Sequence, residues 1–227
     1  MKLNKLNDYI YYTDYEDLRD RPSLGYIKGD KFSVAIDAGH SDEHLKEFYD
    51  LLKQNDLALP QLTILTHWHW DHTFAMHAVN GLTLASEKTN RHLIDFINNQ
   101  NQKTDQEFRK LDPTIEAEYP IGKEIIVKSS DIVYNDIITI DLQNTKLEVF
   151  ETISPHSDDC TLIYLPLEKI LFYGDGTSGE FPTWVADKEK CEKMIDVIDK
   201  LDIDIAIGGH WQIQNKQELI DSLKEEE

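Results

Sequence analysis

The hexapeptide His-Trp-His-Trp-Asp-His at positions 67–72 constrains this chain more than any other segment. It directly follows residues 62–66, a short apolar run typical of a buried strand. His67 and His69 are two residues apart, so in extended backbone they project to the same side. Imidazole and carboxylate ligands at this spacing suit zinc, or iron and manganese less specifically. The hexapeptide therefore predicts a metal site at the end of a buried strand.

Three further candidate ligands stand just past apolar segments that are predicted to be strands. They are His156 after residues 146–151, Asp175 after residues 169–173 and His210 after residues 203–207. Loops at strand ends are where layered folds build functional sites. Glycines beside Asp175 and His210 allow the tight backbone that such loops need. We therefore expect these residues to join the hexapeptide in one set of seven ligands.

The pattern of the remaining chain predicts an alternation of strands and helices. Strands are predicted at residues 8–13, 24–29, 32–37, 62–66, 82–85, 124–128, 137–141, 146–151, 161–165, 169–173 and 203–207. Helices are predicted to begin at residues 41–43 and to cover residues 187–200 and 215–225. A helical insertion is predicted at about 87–123, closed by Pro113 and Pro120. This predicts an α/β (α+β) chain with a single domain over residues 1–227.

The full set of motifs resembles the signature of the metallo-β-lactamase superfamily. The motif HxHxDH is followed by a single His, an Asp in a Gly-Asp turn and a His in a Gly-His turn, over nearly the whole chain. The resemblance implies an αββα sandwich with the site at one edge. It also implies two divalent metal ions, Zn²⁺ or alternatively Mn²⁺ or Fe. It assigns His67, His69 and His156 to the first metal, Asp71, His72 and His210 to the second, and Asp175 to a bridge between them.

Such a pair of metals supports a definite kind of chemistry. Two divalent ions about 3.5–4 Å apart share a bridging water and lower its pKa to near neutrality. The metal-bound hydroxide then attacks, and Asp71 is expected to orient it and to carry its proton to the leaving group. The expected function is a metal-dependent hydrolase that cleaves a small-molecule ester, thioester, lactone or amide. A phosphodiesterase on a small substrate and a non-catalytic metal-binding sensor domain stay open as alternatives.

Charge and composition restrict the partners. The formal net charge is −20 and no cluster of Lys or Arg occurs, whereas nucleic-acid binders carry a basic stripe. No stretch approaches the roughly 20 apolar residues of a membrane span, and the N-terminus does not read as a signal peptide. Cys160 and Cys191 lie far apart. We expect a cytoplasmic protein with a small-molecule substrate and no nucleic-acid or membrane partner, and the oligomeric state stays open.

Aromatic residues accompany the ligand segments. Trp68, Trp70, Phe181, Trp184 and Trp211 are candidates for an apolar wall of the substrate site. Residues 87–123, together with 177–186, are predicted to form the rim of the pocket. The motifs identify no individual substrate-binding residue. The histidines outside the motifs are interpreted as surface or packing residues; they are His40, His44, His77 and His92.

Overall fold

Two β-sheets face each other in the computed structural model, which describes residues 1–225. The first sheet contains, in both chain and spatial order, β1 (Leu3–Lys5), β2 (Ile10–Thr13), β3 (Gly25–Ile27), β4 (Val34–Ile36), β5 (Leu62–Ile64), β6 (Leu82–Ser86) and β7 (Ile132–Tyr134). The second contains β8 (Ile137–Asp141), β9 (Lys146–Glu151), β10 (Thr161–Leu165), β11 (Ile170–Gly174) and β12 (Ile205–Gly208), with β12 and β8 at its two edges.

Seven α-helices accompany the sheets. They are α1 (Asp42–Gln54), α2 (Trp70–Thr73), α3 (Glu87–Asn99), α4 (Gln102–Phe108), α5 (Pro113–Glu118), α6 (Lys188–Ile198) and α7 (Lys216–Glu225) within the described residues. Short 3-10 turns cover Asp17–Arg19 and Met76–Ala78. Of the helices in residues 1–225, none combines the length and apolar character that crossing a membrane requires.

The main core lies between the two sheets. Ile64 and Leu84 of the first sheet meet Val149, Ile163 and Phe172 of the second. The outer faces of the sheets are covered as well. Apolar residues of α1 pack on the first sheet, and apolar residues of α6 and α7 pack on the second. The fold is therefore the αββα sandwich, and burial on both faces explains why strands such as β10 and β11 read as continuous apolar runs.

Parallel pairing brings the chemically interesting loops to one edge. Strands β4, β5 and β6 run parallel, and so do β11 and β12. The carboxyl ends of parallel strands meet at the same edge of a sheet, which is where layered folds place their sites. The hexapeptide follows β5, and the segments at residues 175 and 210 follow β11 and β12.

Some of the predicted elements are wrong in detail. Residues 124–128 form no strand, and β7 at Ile132–Tyr134 pairs with β6 instead. Pro113 does not close the insertion but begins α5, where Asp112 caps the helix by accepting from Thr114 N at 2.8 Å. Proline fits this first helical position because it needs no backbone N–H there. Strand β1 was not predicted from the sequence, and most other predicted strands and helices are present within a few residues.

A buried ion pair joins α5 to the loop before β3. The Arg21 guanidinium donates to both carboxylate oxygens of Glu118, at 2.7 and 3.1 Å, and the two residues are only 2% and 3% exposed. Ser41 also donates to Glu118, and the Tyr119 hydroxyl donates to the carbonyl of His40 at 2.8 Å. These contacts fix the end of the 87–123 segment against the loop that carries Asp20.

Candidate metal centre

The structure brings His67, His69 and His156 into one buried cluster. Nε2 of His156 lies 3.2 Å from Nε2 of His67 and 2.9 Å from Nδ1 of His69. His67 and His69 come from the loop after β5, and His156 comes from the loop between β9 and β10. Three imidazole nitrogens converging on one point form a donor set that suits a divalent transition metal.

A second cluster contains Asp71, His72, Asp175 and His210. Oδ2 of Asp71 lies 3.1 Å from Nε2 of His72 and 3.0 Å from Nε2 of His210. Asp71 and His72 belong to the short helix α2, which begins immediately after His69. The turn into this helix redirects the chain, so that the second half of the hexapeptide reaches a different cluster from the first half.

Asp175 lies between the two clusters. Its Oδ2 is 3.4 Å from Nε2 of His72 and 3.5 Å from Nε2 of His210. The same oxygen lies 3.9 Å from Nε2 of His156 in the first cluster. One carboxylate therefore faces donors of both clusters.

Hydrogen bonds fix which nitrogen of His67 and of His156 faces the first cluster. The single hydroxyl proton of Thr66 is donated to the carboxylate of Asp37 at 2.8 Å, so the Thr66 oxygen accepts from Nδ1 of His67 at 3.1 Å. Nδ1 of His156 donates to the carbonyl of Gly179 at 3.0 Å, because a carbonyl can only accept. Both histidines therefore turn an Nε2 lone pair toward the centre of the cluster.

In the second cluster, Asp37 fixes the orientation of the His72 ring. It is 2% exposed, and its Oδ2 accepts from Nδ1 of His72 at 2.7 Å. Its Oδ1 accepts from the backbone N–H of Thr66 at 2.8 Å. Asp37 therefore supports His72 directly and His67 through the Thr66 hydroxyl. Its backbone has a φ of 63°, a left-handed conformation that non-glycine residues keep mainly where the surroundings demand it.

Burial keeps the first cluster neutral. It lowers the pKa of His67 and His156 and brings the pKa of His69 to about 3, with neighbouring histidines adding to the shift of His67 and His69. Neutral imidazole is the form that binds a metal. The first cluster is therefore in its ligand form without any loss of protons near neutral pH.

In the second cluster, nearby carboxylates favour the protonated form of the histidines. Burial lowers the pKa of His72 and His210, but nearby carboxylates outweigh it. They hold the pKa of His72 well above its usual range and raise that of His210 to about 9. Burial raises the pKa of Asp175, yet His210 and His72 bring it down to about 2. Protons on the two histidines thus compensate the carboxylates, and a bound cation would replace those protons.

Two buried atoms support the fit of a cation. Nε2 of His72 and Oδ1 of Asp175 are buried and make no hydrogen bond. Buried polar atoms without a hydrogen-bond partner are rare, and a bound ion is one explanation for them. The surrounding loops pack so closely that two positions have no room for a side chain. A Cβ on Gly209 would lie 2.2 Å from Oδ1 of Asp175, and a Cβ on Gly174 would lie 2.6 Å from the Thr66 hydroxyl oxygen. The donor set and these atoms fit divalent metals.

A cavity of about 190 Å³ opens beside the clusters. It is lined by Asp20, His69, Trp70, Asp71, Asp112, His156, Asp175, Ser178, Trp184, His210 and Trp211. Of the predicted aromatic wall, Trp70, Trp184 and Trp211 line the cavity directly. Phe181 packs behind Trp70 and Trp184, and Trp68 lines a separate cavity with Phe96 and Phe108.

All seven residues expected to be ligands therefore lie in the two clusters. The sequence motifs did not identify three neighbouring carboxylates, Asp20, Asp37 and Asp112. Asp37 follows an apolar strand just as the expected ligands do, so the same rule of strand ends would have found it. Asp20 and Asp112 carry no comparable signal in the sequence. Burial and, next, repulsion from Asp71 raise the pKa of Asp20 to about 7, and bound cations would oppose this shift because they favour the carboxylate.

The other histidines lie outside the two clusters. His40 and His44 are fully buried packing residues. His77 and His92 are partly exposed and pair with Asp42 at 2.8 Å and with Asp158 at 2.7 Å. His92, Asp158 and Asp159 form a third group of potential ligands, and their ligand atoms lie within 4.8 Å of one another.

Comparison with known proteins agrees with this geometry. The family model described as the metallo-beta-lactamase superfamily matches residues 20–210. Similar solved structures include a metallo-beta-lactamase from Pontibacter korlensis, with a TM-score of 0.71 and 19% identity, covering 98% of each chain. A metallo-beta-lactamase from Hirschia baltica has a TM-score of 0.66 and 18% identity, covering 99% of this chain and 97% of that chain.

A third similar structure is the stereoselective inverting sec-alkylsulfatase from Pseudomonas sp., with a TM-score of 0.75 and 15% identity. The match covers 99% of this chain and 40% of that chain. The family match spans most of the sequence, so the chain belongs to the metallo-β-lactamase superfamily. It is a hydrolase of that superfamily, with clusters of His and Asp that suit divalent metals.

Proposed function

We propose that this protein is a binuclear metallohydrolase that cleaves a small ester, thioester, lactone or amide. The observation that carries the proposal is the place of Asp175, whose Oδ2 faces His156 of one cluster at 3.9 Å and His72 of the other at 3.4 Å. A carboxylate shared in this way suits two neighbouring cations better than one, because a tetrahedral ion uses only four of the seven donors.

The ligand assignment follows the two clusters. His67, His69 and His156 would hold the first metal, and Asp71, His72 and His210 the second, with Asp175 as the bridge. Five of these seven donors are imidazoles, a set that favours Zn²⁺, with Mn²⁺ or Fe as alternatives. When bound, the cations supply Lewis acidity: they acidify a water molecule and polarise the substrate oxygen.

The residues of the chain supply the remaining chemistry. Asp71 lines the cavity, and its Oδ2 lies 3.0 Å from Nε2 of His210 and 3.1 Å from Nε2 of His72, so its carboxylate is held among the donors of the second cluster. We assign to it the transfer of the water proton to the leaving group. Asp37 and the Gly179 carbonyl hold the histidine rings in their ligand orientation. Trp70, Trp184 and Trp211 exclude water from one side of the reacting group.

The cavity supports a small substrate. Its volume of about 190 Å³ is below that of sites for drug-sized ligands, which are roughly 300–1,000 Å³. The net charge of −20 argues against nucleic acid. Cys160 and Cys191 lie in the core as thiols, which supports a reducing compartment and a cytoplasmic location. The predicted single domain with a rim at 87–123 stays part of this proposal, since Asp112 from that segment lines the cavity.

The test combines metal analysis with a substrate panel. Protein loaded with zinc, manganese or iron is assayed on thioesters, lactones, amides, phosphodiesters, sulfate esters and β-lactams, and its metal content is measured in parallel. We expect two metals per chain and turnover confined to carbonyl substrates. A content fixed at one metal, even in metal excess, would contradict the binuclear assignment. Turnover of phosphodiesters or sulfate esters alone would replace the acyl assignment, and no turnover by any form would favour the sensor alternative.

A further inference from the structure

Two carboxylates line the catalytic cavity without belonging to either metal cluster. Asp20 comes from the loop before β3, and Asp112 comes from the N-terminus of α5, so two distant segments each contribute one. Within residues 1–225, no lysine or arginine lines this cavity. A substrate that entered with a negative charge would therefore meet these carboxylates without a lysine or arginine to pair with.

Both carboxylates are held in place. Oδ2 of Asp20 accepts from the indole N–H of Trp70 at 3.4 Å, and its neighbour Arg21 is fixed by the buried pair with Glu118. Asp112 accepts from Thr114 N at 2.8 Å and from the Thr114 hydroxyl at 2.6 Å. Asp112 caps the helix that ends with Glu118, so the Arg21–Glu118 ion pair positions Asp20 and Asp112 relative to each other.

An aromatic surface lies beside these carboxylates. Trp184 is 49% exposed, and its ring stacks on His156 with an interplanar angle of 14°. Trp211 lines the same cavity and lies edge-on to His210. Aromatic rings and carboxylates that line one cavity are two features by which proteins recognise ammonium groups, through cation–π attraction and charge.

The carboxylates of the cavity would compensate bound metals. Asp71 and Asp175 would offset half of the charge of two divalent cations, and Asp20 and Asp112 would offset the other half, so the loaded cavity would hold no excess positive charge to repel an ammonium group. The whole chain adds a field of net charge −20, which attracts cations to the surface and repels anions. When bound, the metals would supply positive charge for the carbonyl oxygen, where negative charge develops in the transition state.

We propose that the substrate carries a positive charge: an ammonium group bound by Trp184, Trp211, Asp20 and Asp112, next to the carbonyl that is cleaved. This inference rests on the proposed hydrolase function and specifies its substrate class. For a thioester, the water oxygen forms a bond to the acyl carbon, the carbon–sulfur bond breaks, and the thiol leaves with the proton that Asp71 has carried. The products are a carboxylate, a cationic thiol and one proton released to the solvent.

The first experiment compares three thioesters that differ only in charge. They are acetylthiocholine, its uncharged analogue in which carbon replaces the ammonium nitrogen, and an acetylated mercaptocarboxylate of similar length. We expect kcat/KM for the cation to exceed that for the neutral analogue about tenfold, since cation–π attraction adds to the charge term. The anion should be the poorest substrate. Equal kcat/KM for cation and neutral analogue, or a preference for the anion, would overturn the inference.

The second experiment separates binding from catalysis. Zinc-loaded protein is titrated with choline and with its uncharged carbon analogue while tryptophan fluorescence is followed. We expect choline to bind about tenfold more tightly. If choline binds preferentially although no thioester is cleaved, the proposed function fails and the charge recognition stands. If both alcohols bind equally, the charge recognition is wrong whatever the hydrolysis assay shows.

Variants assign the effect to named residues. Asp112→Asn keeps a good helix cap, so the fold should survive, and the ratio of choline affinity to that of its analogue should fall severalfold. Trp184→Leu should lower the same ratio. Glu116→Gln is the matched control, because Glu116 is exposed on the same helix and does not line the cavity. A ratio that falls as much in Glu116→Gln as in Asp112→Asn would mean that general surface charge, and not this cavity, selects the cation.

Discussion

Oδ2 of Asp37 accepts a hydrogen bond from Nδ1 of His72 at 2.7 Å, and this contact directs the other ring nitrogen of His72 toward Asp71 and Asp175. Asp37 also accepts from the backbone and the hydroxyl of Thr66. An amide in its place would turn its NH2 group toward either the ring N–H of His72 or the backbone N–H of Thr66, because only one of its two terminal atoms is an acceptor. One buried carboxylate outside the proposed ligand set thus orients histidines of both clusters.

The first prediction follows from this contact. Asp37→Asn should weaken binding of the second metal about 10- to 100-fold, because loss of the partner that orients a ligand typically has that effect. Metal affinity is measured by competition with a chelator. Asp42→Asn is the matched control, since Asp42 pairs with His77 at 2.8 Å on the surface. Unchanged affinity in Asp37→Asn would show that the backbone alone positions His72.

The second prediction concerns Asp71. Asp71→Asn should lower kcat/KM by about 10² to 10⁴, the usual contribution of general acid–base catalysis, with weaker binding of the second metal adding to the loss. An amide is close in size but cannot accept the proton. His77→Ala serves as the control, because His77 follows closely in sequence but lies outside both clusters. Activity near that of the wild type at saturating metal would rule out Asp71 as proton carrier.

The third prediction is the pH dependence of metal binding. The pKa of His210 is raised to about 9 and that of His72 is also raised, so both hold protons at neutral pH and must lose them to bind a metal. The pKa of His69 is lowered to about 3, so the first cluster needs no such loss. Affinity of the second cluster should therefore rise with pH up to about 9, whereas that of the first should be nearly constant above pH 5 or so.

Calorimetry in buffers of different ionisation enthalpy measures this directly. At pH 7 we expect about two protons to be released with the second metal and almost none with the first. On dialysis at falling pH the second metal should be lost first. Equal proton release at both steps would contradict the charge balance inferred for the clusters.

The fourth prediction concerns stability. Glu118→Ala should lower the free energy of unfolding by about 3 kcal/mol, because removing one partner of a buried pair leaves Arg21 without its bidentate acceptor. Glu116→Ala, an exposed position on the same helix, should change it by less than about 0.5 kcal/mol. Chemical denaturation measures both. Similar values for the two variants would mean that Glu47, which accepts from Arg21 at 3.0 Å, replaces Glu118 fully.

Local sequence patterns were sufficient to predict many of the strands and the candidate ligands. Alternating and continuous apolar runs predicted β5, β9, β10 and β11 because burial on one or both faces of a strand leaves its mark on consecutive residues. The hexapeptide and the three strand-end residues identified the polar clusters because rare residue types recur at a fixed relation to apolar strands. The αββα fold followed from the family resemblance carried by the same residues, and the family match agrees with it.

Tertiary structure alone decided the rest. Arg21 and Glu118 are 97 positions apart, and their pair joins α5 to the loop before β3, so that Asp20 and Asp112 line one cavity. The strand that pairs with β6 is Ile132–Tyr134 rather than residues 124–128, although both are rich in apolar residues. Such choices depend on contacts between segments distant in sequence, and their free energy is set by packing that no local window contains. The sequence therefore determined which residues can do the chemistry, and the packing of the loops decided which charges surround it.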